Sequence, residues 1–204
     1  RYWRDWSSDV CSSDLPLKCP LGYQALNNSG LRPSLQKSCQ ICPAGTYGNH
    51  PERHRCDICP QGYFCPVGCI GPYVNPCPEG YYCPIQSGDK NPCQAGFFGN
   101  RTLASSPADC YPCPANTFNN VPGRTNCRPC GSSSKAEPGN AKCTCIGDNR
   151  SFQISSGACT CYAGYVFYDD LDKKQSDGNS DKSCQKVVCY QSKQYAVLIN
   201  TKAK

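Results

Sequence analysis

Cysteine is the residue type in this chain with the most evident chemistry. The 204 residues include 21 cysteines, which can form disulfides, bind zinc or carry out thiol redox reactions. Two sets of four have the C-x2-C-x13-C-x2-C spacing of a zinc ribbon: Cys39, Cys42, Cys56 and Cys59, and Cys110, Cys113, Cys127 and Cys130. Cys110-Tyr111-Pro112-Cys113 also has the CxxC spacing of a thiol oxidoreductase motif.

The number of cysteines and the scarcity of apolar residues favour disulfides over these two alternatives. Two zinc ribbons would leave at least twelve cysteines unexplained. A thiol oxidoreductase motif needs a strand and a helix around it, and no such pattern surrounds Cys110. Leu, Ile, Val and Phe together make up about 15% of the chain, which is too little for a conventional core. Because disulfides persist in oxidising compartments, the sequence predicts an extracellular or cell-surface location, with no metal and no cofactor.

The spacing of the cysteines indicates which of them pair. Loops of 12 to 22 residues recur, separated by CxxC or CxC hinges where one cysteine closes a loop and the next opens another. The predicted disulfides are Cys19–Cys39, Cys42–Cys56, Cys93–Cys110, Cys113–Cys127, Cys130–Cys143, Cys145–Cys159 and Cys161–Cys184. Spacing alone does not fix connectivity, and it leaves Cys59, Cys65, Cys69, Cys77, Cys83 and Cys189 unassigned.

Catalytic motifs are missing from the sequence. The two histidines, His50 and His54, lie in one loop beside Pro51, and no nucleophile elbow or phosphate-binding glycine loop occurs. No catalytic residue is predicted, and the chain is expected not to be an enzyme. No apolar run approaches the roughly 18 residues of a membrane-spanning segment.

Three kinds of surface feature remain as binding or modification candidates. Arg53, His54 and Arg55 form a small basic group that could contact anionic glycans or acidic partners, although it lacks the density of a nucleic-acid surface. An acidic cluster could bind calcium, but the lysines among its members favour a solvated loop; its members are Asp169, Asp170, Asp172, Asp177 and Asp181. Three N-x-S/T sequons make Asn27, Asn100 and Asn149 candidates for N-glycosylation.

A short phrase, Cys-Pro-x-Gly followed by an aromatic residue, recurs along the chain after Pro16. The pattern predicts a type I turn with Pro at the second position and Gly at the fourth. Asn116 replaces Gly in one copy, and Asn tolerates left-handed backbone angles. The aromatic residue is expected to cover a neighbouring disulfide, and the repeats must stack because each is too small to fold alone. The copies, some of them looser, begin at Cys19, Cys42, Cys59, Cys77, Cys93, Cys113 and Cys161.

Helical periodicity is nearly absent, so the elements that position these residues are short strands and turns. The predicted fold is small and disulfide-rich, an elongated array of short β-hairpin and turn modules with little helix. Segments 131–142 and 169–183 are predicted to be exposed loops. Residues 196–199 (AVLI) fit an edge strand, the start of a further module or a tail.

The phrase CPAGTY followed by CxxCPxGYFCP, over residues 39–130, resembles the ephrin-receptor-type cysteine-rich repeat. That repeat belongs with TNF-receptor-like and EGF-like modules, and residues 143–184 look EGF-like in their CxC, CxC and GY arrangement. Cys69 departs from the resemblance, since it stands where such repeats usually carry Thr. Residues 5–15 resemble the translation of a sequencing adapter. The resemblance implies a stalk or ligand-contacting region of an extracellular protein.

The predicted domain organisation follows these patterns: an adapter-derived, disordered segment (1–15), a partial cysteine-rich module (16–38), two sets of ephrin-receptor-like repeats (39–92 and 93–142), an EGF-like region (143–189) and a tail that could be truncated (190–204). The expected function is that of a non-enzymatic spacer and protein-interaction surface in a larger, glycosylated cell-surface receptor or matrix or adhesion protein. Its partners would be an extracellular protein, neighbouring modules or glycans.

A ligand-binding surface would present clustered aromatic anchors. The candidates are Tyr63, Phe64, Tyr81 and Tyr82, although packing on disulfides is the simpler role for them. Two alternatives to the extracellular receptor region stay open at this point. One is an intracellular zinc-ribbon-like module, and the other is a secreted cysteine-rich effector or inhibitor.

Overall fold

The computed structural model describes residues 18–26, 39–51, 54–131, 133–166, 183–189 and 196–198. In these ranges the regular elements are short β-strands and one 3-10 helix, Pro107–Asp109. The strands form seven two-stranded sheets and one three-stranded sheet. The prediction of a small, disulfide-rich array of hairpins with little helix is therefore confirmed. The adapter-like segment 5–15 lies outside the described residues.

The sheets of the described residues all join strands that are consecutive in the sequence. In the first half, β1 (Tyr23–Ala25) pairs with β2 (Cys39–Ile41), β3 (Thr46–Tyr47) with β4 (Asp57–Ile58), β5 (Tyr81–Tyr82) with β6 (Asn91–Pro92), and β7 (Phe97–Phe98) with β8 (Tyr111–Pro112). In the second half, β9 (Thr117–Phe118) pairs with β10 (Arg128–Pro129), β11 (Ser134–Lys135) with β12 (Thr144–Cys145), and β13 (Arg150–Gln153) with β14 (Ala158–Cys161). The three-stranded sheet runs β15 (Tyr165–Val166), β16 (Gln185–Cys189) and β17 (Ala196–Leu198), so residues 196–198 form an edge strand.

The repeated phrase forms a turn of a different type from the one predicted. In the first copy the N–H of Tyr23 donates to the carbonyl of Pro20, so Pro20 occupies the first position and Gly22 the third. Gly22 has a φ of 82°, and a positive φ at the third position defines a type II turn rather than type I. Asn116 takes the same conformation with a φ of 61°, as predicted. The equivalent bonds run from Thr46 to Pro43, Tyr63 to Pro60, Phe97 to Gln94, Thr117 to Pro114 and Tyr165 to Tyr162.

Successive copies of the phrase are joined by one repeated backbone bond. The carbonyl of six of these turn residues, five glycines and Asn116, accepts the N–H of a cysteine further along the chain at 2.8 to 3.0 Å, and in five of the six pairs that cysteine opens the next phrase. The donor–acceptor pairs are Cys42–Gly22, Cys59–Gly45, Cys77–Gly62, Cys93–Gly80, Cys113–Gly96 and Cys130–Asn116. Because these bonds link neighbouring repeats rather than residues of one repeat, each repeat depends on the next for its backbone hydrogen bonds.

A second contact connects phrases that are two repeats apart. Leu103 donates its N–H to the carbonyl of Cys77 at 2.8 Å, and its own carbonyl oxygen faces Gly62, where a Cβ would lie 2.9 Å away. We call a residue in this position an interlock residue. The other four interlock residues, each with the glycine that it faces, are Gly68 with Gly22, Gln86 with Gly45, Gly123 with Gly80 and Gly139 with Gly96. The phrase glycine is therefore required for two reasons. Its φ is positive, and a backbone carbonyl occupies the space that a side chain would need.

Leu103 is expected to be a site where replacement by glycine stabilises the fold. Its φ of 60° is imposed by the interlock, and that conformation costs an L-residue about 1–2 kcal/mol. After the larger backbone entropy of glycine is subtracted, we expect Leu103→Gly to raise the free energy of unfolding by about 0.5–1 kcal/mol. Leu103→Ala is the control because it keeps the strained Cβ, and thermal unfolding of the two variants should show a gain for glycine alone. Equal stability of the two variants would contradict the claim that the interlock strains the backbone at Leu103.

Cysteine makes up most of the buried interior that the described residues form. Thirteen of the seventeen buried hydrophobic residues are cysteines, three are alanines, and Phe118 is the only large apolar side chain among them. Phe118 packs edge-on against Phe152, with ring centroids 5.1 Å apart. The sequence-based expectation that disulfides replace a conventional core thus agrees with the packing.

The prediction that segment 131–142 is an exposed loop is wrong for part of the segment. Ser134 and Lys135 form strand β11, and Ser133, Ser134 and Ala136 are buried. Ser133 accepts a hydrogen bond from Arg150, and the Ser134 hydroxyl donates to the carbonyl of Gly131 at 3.1 Å. Small polar side chains can be buried when their hydroxyls are hydrogen-bonded, and composition alone does not reveal those partners. Segment 169–182 lies outside the described residues.

Two compact units can be distinguished in the described part of the chain. The first takes the described residues of 1–78 together with 82–91 and 102–106, and the second takes 79–81, 92–101 and the described residues of 107–204. The units interleave along the sequence because the interlock contacts skip one repeat. The interlocks at Gly22, Gly45 and Gly62 lie in the first unit, and those at Gly80 and Gly96 lie in the second.

Candidate functional site

The disulfide framework is the chemical centre of the molecule. Among the described residues, nine disulfides join cysteines separated by 6 to 23 positions, and their Cα–Cα distances of 5.6 to 5.9 Å are ordinary. Seven of them join the pairs indicated by the spacing: Cys19–Cys39, Cys42–Cys56, Cys93–Cys110, Cys113–Cys127, Cys130–Cys143, Cys145–Cys159 and Cys161–Cys184. The other two disulfides, Cys59–Cys65 and Cys77–Cys83, join cysteines that the spacing left unassigned.

The cysteines of the two zinc-ribbon spacings do not come together as four-ligand metal sites. Of the first set, Cys39 bonds to Cys19, Cys42 to Cys56, and Cys59 to Cys65. The second set is divided in the same way among three disulfides. The spacing therefore arises from repeats whose hinges separate the end of one disulfide loop from the start of the next.

The CxxC phrase at Cys110 likewise belongs to the framework. Cys110 bonds to Cys93 and Cys113 bonds to Cys127, so the two cysteines are not partners of each other. A redox-active CxxC cycles between a dithiol and a disulfide within the motif. The arrangement here gives both cysteines a structural role instead.

Cys69 is the free cysteine of the described residues, and it is buried beside the Cys59–Cys65 disulfide. Its thiol donates to the carbonyl of Gly71 at 3.3 Å. The equivalent position of the next repeat holds Ser87, whose hydroxyl donates to the carbonyl of Pro84 at 2.7 Å. The position thus selects a small side chain with a hydrogen-bond donor, for which Cys, Ser and Thr all qualify. The side chain of Cys189 lies outside those described.

Replacing Cys69 by serine is expected to leave the disulfide framework intact. The Ser87 site shows that a hydroxyl fits this turn, so the free energy of unfolding should change by less than about 1 kcal/mol. The matched control is the double variant Cys59→Ser/Cys65→Ser, which removes a disulfide at a cost of about 2 kcal/mol or more. Intact mass and thermal unfolding test both variants, and loss of any disulfide in Cys69→Ser would contradict the assignment of Cys69 as a free thiol.

The predicted aromatic anchors are half-buried rather than presented to solvent. Tyr63 packs against the cluster of Cys59, Cys65 and Cys69. The ammonium group of Lys90 lies 5.4 Å from the centre of the Phe64 ring. Tyr81 and Tyr82 are half-buried in β5. Tyr63 thus packs on a disulfide, which is the simpler of the two roles expected for these residues.

Exposed apolar residues occur along much of the described chain, and four of them lie together in a segment that was not among the predicted sites. Val67, Ile70, Tyr73 and Val74 are 50–70% exposed, and we call residues 67–74 the apolar loop. The Tyr73 ring stands edge-on to the half-buried Tyr63, 5.1 Å away. The available signal was a run of apolar residues between the glycines and prolines that follow Cys65.

Two of the three sequons lie in described residues, as do both histidines. Asn100 and Asn149 are both exposed, and Asn27 lies outside the described part. His54 and Arg55 are exposed as the basic-group prediction requires, and Arg53 is not among the described residues. None of the five aspartates of the acidic cluster, for which a solvated loop was the favoured prediction, is among the described residues either.

Arg150 is a buried charge that the sequence did not single out. The residue is 6% exposed. Its guanidinium donates to the carbonyls of Ile146 and Cys159, both at 3.1 Å, and to the hydroxyl of Ser133 at 3.2 Å. Arg150 therefore ties β13 to β14 and to the turn before β11. The structural role of Arg150 could not be predicted from hydrophobicity, because the residue is charged.

These features define a class of protein: a small disulfide-rich array of strand hairpins built from cysteine-rich repeats. Comparison with known protein families finds no matching family model, and comparison with curated proteins finds no significant match. Among the described residues, no helix has the length and hydrophobicity needed to cross a bilayer.

Proposed function

We propose that this chain belongs to the extracellular region of a larger cell-surface receptor or matrix or adhesion protein, where it is a non-enzymatic spacer and protein-interaction surface. The observation that carries the proposal is an interior in which cysteines outnumber all other buried hydrophobic residues. Such an interior forms only where thiols become oxidised. The resemblance of residues 39–130 to ephrin-receptor-type repeats adds a family to this proposal.

The apolar loop is the part of the surface best suited to protein contact. Its side chains are among the few large apolar ones in the chain, yet they lie in solvent. Adjacent exposed apolar side chains are typical of interaction sites, and tyrosine is enriched among binding hot spots. Tyr73 combines 70% exposure with an edge-on contact to Tyr63 that restricts its orientation. We therefore place the protein-binding role at Tyr73 and its neighbours.

Surface labelling of cells that make the natural protein tests its location. A biotinylation reagent that does not cross membranes should label the protein on intact cells or recover it from the medium. Recovery only from the cytosolic fraction, with reduced thiols, would contradict the proposal.

A photo-crosslinking amino acid tests the interaction surface on the same cells. We expect an adduct when it replaces Tyr73 and none when it replaces Tyr162, a tyrosine that is 52% exposed in the second unit. Equal crosslinking at both positions, or none at either, would remove the apolar loop from the proposal.

A further inference from the structure

The two sequons in described residues differ in how the fold uses them. In the sequon 100–102 (NRT), all three residues are exposed. The Arg101 side chain is 53% exposed and forms an ion pair with Asp109. The middle residue of this sequon is therefore held at the surface, and the asparagine beside it faces solvent.

The sequon 149–151 (NRS) is built into the fold instead. Asn149 has a φ of 60°, and its side-chain amide nitrogen donates to the carbonyl of Cys184 at 3.0 Å. Its middle residue is the buried Arg150, which donates to the carbonyl of Cys159. The third residue, Ser151, lies in β13. The amide that a sugar would occupy is thus already a contact to the end of the Cys161–Cys184 loop.

We infer that Asn100 carries an N-linked glycan and that Asn149 does not. The inference rests on the proposed extracellular location, since sequons are modified only in the secretory pathway. The sequon at Asn100 is accessible both before and after folding, so the order of folding and modification does not affect it. The Asn149 residue is exposed, but its side-chain nitrogen is bonded to the Cys184 carbonyl once the Cys161–Cys184 loop has closed, and a sugar on that nitrogen would crowd the carbonyl.

The reaction is a glycosyl transfer from a lipid-linked oligosaccharyl diphosphate. The Asn100 side-chain nitrogen forms a bond to the anomeric carbon of the first sugar, and the bond from that carbon to the phosphate oxygen breaks. The diphosphate leaves with the lipid, and the amide nitrogen gives up one proton. Nothing is oxidised or reduced, so the chain itself supplies only an accessible amide and the hydroxyl of Thr102.

Site-specific mass spectrometry tests the inference on the full chain, secreted from mammalian cells behind a cleavable signal. Enzymatic removal of glycans in heavy-oxygen water converts a glycosylated asparagine into labelled aspartate. We expect the label at Asn100 and none at Asn149, with Asn27 resolved in its own peptide. Asn100→Gln should remove one glycan from the intact mass, and Asn149→Gln should not change the glycan mass. An unlabelled Asn100, or any labelled Asn149, would overturn the inference.

The same secreted sample separates failure of this inference from failure of the proposed function. If Asn100 is unglycosylated while the cysteines are paired, the glycosylation inference is wrong and the proposed extracellular location is retained. If the cysteines are found reduced or bound to zinc, the extracellular proposal falls, whatever Asn100 carries.

Discussion

Reduction of the disulfides is expected to unfold the chain without any denaturant. Each disulfide loop contributes about 2–3 kcal/mol in the chain-entropy account. Nine of them together exceed the roughly 5–15 kcal/mol of net stability that a folded domain has. Phe118 is the one large apolar side chain buried in the described residues, so little apolar burial remains to oppose the released chain entropy.

Circular dichroism and limited proteolysis before and after reduction measure this effect. The reduced and alkylated chain should lose its spectrum of folded hairpins and become cleavable throughout the repeats. Treatment with the alkylating reagent alone is the control, because it leaves the nine disulfides in place. A spectrum and a cleavage pattern that survive reduction would show that some other force holds the fold.

Gly96→Ala is expected to be the most damaging single substitution among the phrase glycines. Gly96 has a φ of 88°, which costs an L-residue about 1–2 kcal/mol. A Cβ at this position would also overlap the carbonyl oxygen of Gly139. Backbone atoms cannot rotate away as a side chain can, and overpacking of this kind typically adds about 1–3 kcal/mol. The expected loss in free energy of unfolding is therefore about 2–5 kcal/mol.

Gly164→Ala is the matched control for this substitution. Gly164 occupies the same turn position with a φ of 82°, but no heavy atom of the described residues lies within 4 Å of where its Cβ would be. Its replacement should cost only the conformational strain of about 1–2 kcal/mol. Thermal or denaturant unfolding of both variants measures the difference. Equal losses would mean that the carbonyl of Gly139 does not restrict Gly96, and the interlock would have to be abandoned.

The features predictable from the sequence are those set by residues close together in the chain. Cys42 and Cys56 pair across a hairpin of β3 and β4, so the spacing of two cysteines in one repeat carries the information. Asn116 could be placed at a left-handed position because the phrase around it is local. The hairpin class follows from the same short turns and from the missing helical periodicity.

Features that depend on contacts between repeats could not be predicted in this way. The second requirement for Gly62 becomes clear only when the carbonyl of Leu103, 41 positions further along, is placed against it. Burial of Ser133 depends on Arg150, which reaches it from another hairpin. The exposure of Tyr73 follows from a core filled by disulfides, which leaves apolar side chains outside.

Peptide mapping of the natural protein under non-reducing conditions is the decisive test of the disulfide framework. We expect nine linked peptide pairs, including Cys59–Cys65 and Cys77–Cys83, with Cys69 recovered as a free thiol and no stoichiometric zinc. Cysteines recovered largely as thiols, or zinc bound in proportion to the sets that contain Cys39 and Cys110, would contradict it.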